Sequence, residues 1–227
     1  MASQAAPARP QRRDAQRNRE RILAATREAF RERGLDVGVD EIARRAGVGM
    51  GTLYRHFPTK DALIDAILHA RFDELTASVE QALEAPAAWD GFVSFLHAAT
   101  DLQAADRGFK DALAARGRGE RGVKLARRRL HTAIAALVER TQAEGALRAD
   151  VTTEDVIVLL WATARVVERT AEVAPAQVRR FLALHLDGLR AGAQPPLDVP
   201  PLTSRQIQRA TAPGRPPRAA ARRRSPR

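Results

Sequence analysis

The run from Val39 to Lys60, VDEIARRAGVGMGTLYRHFPTK, constrains this chain more than any other segment. Ile42, Ala43 and Ala46 put a small apolar face on a short helix. Gly47 follows, where a tight turn needs positive φ without a Cβ penalty. Val48 and Leu53 then supply the apolar face of a second short helix. Two helices crossing at ~90–120° over a short turn need a small residue near the contact, and Ala43 is that residue. Leu53 is placed to plug the space between both helices and Phe30. The outer face of the second helix stays free, with Met50, Gly51, Thr52, Tyr54 and Arg55, and this geometry suits entry into a major groove. Tyr54, Arg55, His56 and Lys60 alternate with the anchors Leu53 and Phe57, and such long polar donors suit phosphate oxygens. A plain helical hairpin would satisfy the first half of the run. The continuation GTLYRHFPTK favours contact with DNA.

The charge distribution agrees. Net charge is +11, and it sits at the ends of the chain. Residues 1–60 carry +6, residues 193–227 carry +7 and the middle carries −2. A basic end segment can neutralise phosphates and release their counterions, although a solvated basic surface looks the same in sequence. The chain has no cysteine, which excludes disulfides, thiolate metal sites and cysteine nucleophiles. The five histidines lack metal-ligand spacing, so no metal or cofactor is expected. No apolar run approaches the ~18 residues that span a bilayer, and a soluble cytoplasmic protein without membrane contact is expected.

Along the chain almost every segment carries helical periodicity and none alternates at period two for long, so the expected fold class is all-α, with about nine helices. The expected organisation is a disordered arm (1–11), a three-helix DNA-binding head (12–58), a helical body (59–192) and a disordered basic tail (193–227). Within the head, a helix from about Arg12 to Arg33 should bury Ile22, Thr26, Ala29 and Phe30. Thr59 is a suitable N-cap for a long helix to about Leu83. The body should add helices holding Trp89 to Leu102, a short one near Phe109 to Ala115, then about 123–144, 153–171 and 175–190. Thr152 with Asp155 resembles a capping box, and Pro175 suits a first helical turn.

On the residues from Arg19 to Leu68, the chain resembles the tetracycline-repressor (TetR) family of bacterial regulators. The resemblance implies that the third helix is the recognition helix and that the fourth links the head to a ligand-binding and dimerisation domain. It further implies that Thr52 and Tyr54 face DNA, that His56 and Lys60 contact phosphate, and that Arg44 and Arg45 flank the groove. Two positions depart from the family pattern. Gly38 stands where Thr or Ser commonly begins the second helix, and Gly49 stands where Ser or Ala is common in the turn. Glycine leaves backbone N–H groups open to a phosphate but donates no hydroxyl. Arginines of the arm (Arg12, Arg13, Arg17) or of the tail are expected to compensate.

The body is less legible. By resemblance, the last two body helices form a dimer interface, with Val156, Leu160, Thr163, Val178, Phe181, Leu182, His185 and Leu189 as candidates; an intramolecular core is the competing reading. A homodimer would place two recognition helices ~34–36 Å apart over a near-palindromic operator. For a small-molecule effector, the candidate residues are Trp89, Phe92, Phe95, Phe109, Trp161 and Arg165, with core packing or a salt bridge as the simpler role of each. Gly117 to Gly122 fits G-x-G-x-x-G by letter but follows no strand, so a dinucleotide site is not expected. The function expected is thus a ligand-responsive repressor that binds double-stranded DNA. A low-specificity DNA-packaging protein is the alternative. An enzyme is the distant one, since no nucleophile–base pair, metal set or phosphate loop is found.

Overall fold

The computed structural model describes residues 9–105 and 121–210. Among them are nine α-helices and no strand, as expected of an all-α chain. They are α1 (Arg9–Arg33), α2 (Val39–Ala46), α3 (Met50–His56), α4 (Lys60–Leu83), α5 (Ala88–Ala105), α6 (Arg121–Ala143), α7 (Thr153–Thr170), α8 (Gln177–Leu189) and α9 (Ser204–Ala210). A 3₁₀ turn, Gly34–Asp36, follows α1. The expected helix at 109–115 and the loop at 117–120 lie outside the described residues. Gly122, expected in that loop, lies within α6.

Local chemistry explains most of the boundaries. α1 begins at Arg9 rather than Arg12, so residues 9–11 are helical and not part of an arm. Pro10 falls in the first turn, where its missing N–H has no helical acceptor to lose. The Thr59 hydroxyl accepts from the Ala62 amide at 3.0 Å and opens α4. The capping box of α7 is complete: Asp155 N–H donates to Thr152 Oγ1 at 3.3 Å and Thr152 N–H donates to Asp155 Oδ2 at 2.8 Å. α8 starts at Gln177, two residues after Pro175. Pro175 lies in a turn closed by Gln177 N–H donating to the Ala174 carbonyl at 2.9 Å.

α4 is the spine. It packs on α1, on α5 and on α6. α6 runs beside it in the same direction, with Gly122 near His69, Arg129 on Asp73 at 2.9 Å, and Arg140 near Leu83. Arg140 donates to the Leu83 and Ala85 carbonyls, each at 2.6 Å, and so closes the end of α4. Glu144, one turn on, accepts from the Ala88 amide at 2.8 Å and opens α5. The C-terminal end of α6 and the residue after it therefore supply the polar partners that the α4–α5 corner lacks. At that corner Gly91 lies so close to the Ala82 carbonyl that a Cβ would collide with it. The core is aliphatic with four fully buried phenylalanines, Phe30, Phe57, Phe92 and Phe95.

The expected tail at 193–227 is structured through residue 210. Arg148 donates to the Pro195 carbonyl at 2.9 Å, and the Leu197 amide donates to Asp150 at 3.0 Å. Ser204 donates to Glu154 at 2.5 Å, and Ile207 of α9 is buried. A Pro-rich strand of chain cannot pair with itself. Here the side chains of Arg148, Asp150 and Glu154 satisfy its polar groups instead. Residues 211–227 lie outside the described residues.

Candidate nucleic-acid interface

α2 ends in a turn that sequence alone foreshadows. Gly47 adopts φ 61°, and the bonds Gly47 N–H to Arg44 O (3.1 Å) and Val48 N–H to Ala43 O (3.0 Å) form the paired closure of a left-handed helix end. Ile42, Ala43 and Ala46 face inward and are buried. Leu53 of α3 is 1% exposed and joins the same core as Phe30 and Phe57. With Leu53 committed to the core, α3 presents Met50, Gly51, Tyr54 and Arg55 to solvent. Tyr54 is 46% exposed, a high value for an aromatic ring that takes no part in the core. Thr52, His56 and Lys60 are half-buried at the edges of that face.

Both glycine departures lie at helix starts. Gly38 and Gly49 are the N-caps of α2 and α3, both extended, and neither has a side chain to cap with. The first turn of α3 therefore leaves backbone N–H groups without a hydroxyl partner. Helix N-termini of this kind attract anionic oxygens, and α3 carries no acid in its first turn.

Arg44 and Arg45 do not share one role. Arg45 donates to Glu41 at 2.8 Å and reaches Glu32 of α1 at 2.7 Å. It ties α2 to α1, so its guanidinium is occupied within the head rather than free at the groove. Arg44 pairs with Glu41 as well but stays 76% exposed. Arg44 first, then Arg45, hold the Glu41 carboxyl down to about 2.

Two arginines of α1 join this site without having been singled out in the sequence. Arg21 donates to the Gly47 carbonyl at 3.2 Å, and Arg19 stacks over the Phe57 ring at 4.8 Å. Both link α1 to the ends of the two short helices. Contacts 26 and more residues apart leave no local pattern, so only their charge was visible beforehand.

The expected effector and dimer residues separate differently. Phe92 and Phe95 are fully buried core residues. Trp89 is half-buried, stacked against Phe92 at 5.8 Å and covered by Arg190 at 4.6 Å. Arg165 is 57% exposed and pairs with Glu168 at 2.7 Å, so it is not the buried cation of an aromatic pocket. Trp161 is half-buried, and Phe109 lies outside the described residues. A groove between α4 and α5, lined by Ser78, Ala82, Gly91 and Ser94 among others, contains none of these candidates. Of the dimer candidates, Val156, Leu160, Thr163, Val178 and Leu182 are buried within the single chain. Val156, Leu160 and Leu182 belong to the hydrophobic core of the single chain. Phe181 and Leu189 are half-buried and His185 is exposed, its ring 4.1 Å from Phe181. The exposed apolar residues nearby in sequence are Val158, Val173 and Leu184.

Comparison with known proteins follows this geometry. The family model described as "Bacterial regulatory proteins, tetR family" matches residues 22–67. A second, "Transcriptional regulator SbtR-like, C-terminal domain", matches residues 85–191. Among solved structures, a TetR transcription regulatory protein from Mycobacterium vanbaalenii is 35% identical, with a TM-score of 0.62 over 80% of this chain and 99% of that one. A TetR transcriptional regulator from Streptomyces coelicolor is also 35% identical, with a TM-score of 0.61 over 77% and 99% of the two chains. An HTH-type transcriptional regulator of Staphylococcus aureus is 38% identical over 84 residues, 36% of this chain and 44% of that protein. The HTH-type transcriptional activator FasR of Mycolicibacterium smegmatis is 46% identical over 66 residues, 29% of this chain and 30% of its own length. The chain thus spans less than half the length of these curated relatives.

Proposed function

Because this chain belongs to the TetR family of bacterial transcription regulators, we propose that it reads a near-palindromic operator as a homodimer and represses by occluding a promoter. The observation that supports this most is the free polar face of α3, set on a turn whose apolar residues are all consumed by the core. In this reading Thr52, Tyr54 and Arg55 reach base edges, while Met50 and Gly51 let the backbone approach. Arg44, His56, Lys60 and the N–H groups after Gly49 grip phosphates. Arg13 and Arg17, exposed on the N-terminal half of α1, flank the same site. The protein works in the cytoplasm, binds without catalytic turnover and answers to a small-molecule effector held by the body.

The second copy would dock on the outward side of α7 and α8, through Val158, Leu184 and His185. These residues are exposed in the single chain, whereas the inward positions are already spent. The experiment is a binding titration on duplexes recovered by genome-wide footprinting. A two-fold site protected on both halves supports the reading. Protection of unrelated sequences with equal affinity at matched salt would support the packaging alternative instead. FasR is named an activator, so reporter expression with and without the protein decides the direction of control.

A further inference from the structure

We propose that Glu74 is a positioning residue that fixes the angle of the DNA-binding head on the body and ties it to the last turns of α5. The proposal rests on the operator-binding reading given above. Its basis is a chain of polar contacts across the seam. Arg27 of α1 pairs with Glu74 of α4 at 2.7 Å. Glu74 in turn accepts from Arg71, one turn earlier, at 3.2 Å. Arg71 is only 5% exposed and donates from its other nitrogen to the Leu102 carbonyl, close to the end of α5. It makes further contacts besides these. One carboxylate thus takes two guanidiniums, one from the head and one reaching into the body.

The energetics favour a device over decoration. A guanidinium as buried as Arg71 is costly unless its donors are met, so its position follows its acceptors, Glu74 and the α5 carbonyl among them. Arg27 Nε is buried with no hydrogen-bond partner among the described residues. Its place in the seam therefore depends on the bond that its Nη2 makes to Glu74. The Arg27–Glu74 pair itself is about a third exposed, so the coupling it carries is modest, a factor of about two to five. That is enough to bias the setting of the head and too little to hold the fold together. α4 carries both residues, so any shift of the α5 end reaches α1 through one helical turn.

The test compares the full-length wild type with Arg27→Gln, Glu74→Gln, the conservative Arg27→Lys, and Arg31→Gln as a control on the separate Arg31–Glu28 pair of the same helix. Amide hydrogen exchange is read at 98–105, the part of α5 whose Leu102 carbonyl accepts from Arg71. Arg27→Gln and Glu74→Gln should each raise exchange there by about two- to fivefold, with Arg27→Lys close to wild type and Arg31→Gln without effect. Acceleration confined to α1 in Arg27→Gln would overturn the proposal. On the footprinted operator, Arg27→Gln and Glu74→Gln should lose affinity by the same factor, although neither residue faces DNA. Unchanged affinity would overturn the positioning role. Exchange needs no DNA, so a wild type that binds no operator would defeat the functional reading while leaving the coupling result standing.

Discussion

Arg21 of α1 donates to the carbonyl of Gly47, 26 residues away, at 3.2 Å. The bond fastens the first helix to the turn that aims α3, and Gly47 itself holds φ 61° there. α3 is therefore held by Leu53 in the core, and the turn before it by Arg21. Gly47→Ala should lose about 1–2 kcal/mol of unfolding free energy, since an L side chain in that region costs roughly 1 kcal/mol and its Cβ would meet the Arg21 guanidinium at 2.5 Å. Chemical denaturation of the full chain checks it, with Arg21→Gln expected to weaken stability in the same direction and by less.

Separation of packing from reading gives a second prediction. Leu53→Ala removes a side chain that is 1% exposed and should destabilise by about 2–5 kcal/mol. Tyr54→Ala and Arg55→Ala remove exposed side chains and should stay within about 0.5 kcal/mol of wild type. The same two substitutions should weaken operator binding by about 1–3 kcal/mol each. Thermal unfolding and binding titration, run on the same preparations, show whether the two effects separate in this way.

Gly49 offers a gain. It is an extended N-cap with nothing within 4 Å of the place a Cβ would occupy. Gly49→Ser should add a hydroxyl cap and reduce unfolded-chain freedom, for about 0.5–1 kcal/mol of added stability. It should also tighten the operator complex by supplying the hydroxyl that the family pattern has there. A rise in stability with weaker DNA binding would show that bare backbone at Gly49 is what the phosphate needs.

Much of this was legible beforehand, for a physical reason. The α2–α3 turn, the Thr59 cap and the Thr152–Asp155 box depend on residues within a few positions of one another, and local hydrogen bonding writes them into the sequence. Burial of Ile22, Thr26, Ala29 and Phe30 followed from helical period in the same way. Arg45 at Glu32, Arg140 at Leu83 and Arg27 at Glu74 join residues 13 to 57 apart. Nothing in their spacing marks them off from solvent-facing charges. For Val156, Leu160 and Leu182, period located the apolar stripe but could not say whether the chain or its copy covers it. The segment 193–210 has a composition with no core of its own; side chains of the body hold it, and composition does not show them.

The docking of that segment gives a pH prediction. The Arg148 guanidinium first, and then the Leu197 amide, hold the Asp150 carboxyl well below the usual carboxylate range. A depressed folded value means that its stabilisation is complete above the ordinary Asp range, near 3.9, and is lost as pH falls through the folded value. The 195–197 segment should stay docked at pH 5 and release only in strong acid. Limited proteolysis between 193 and 203 across pH reads this, with Asp150→Asn expected to release the segment already at neutral pH.

The most direct test of the central claim is the affinity of the full-length protein for the footprinted duplex and for a scrambled duplex of equal length, at two matched salt concentrations. A preference of at least ~10³ for the specific duplex is expected, abolished or strongly reduced by Tyr54→Ala with Arg55→Ala. Removal of the arginine-rich residues 211–227 should lower the salt slope for both duplexes alike and spare the preference. Equal affinity for the two duplexes at each salt concentration, unchanged by the substitutions on α3, would contradict it.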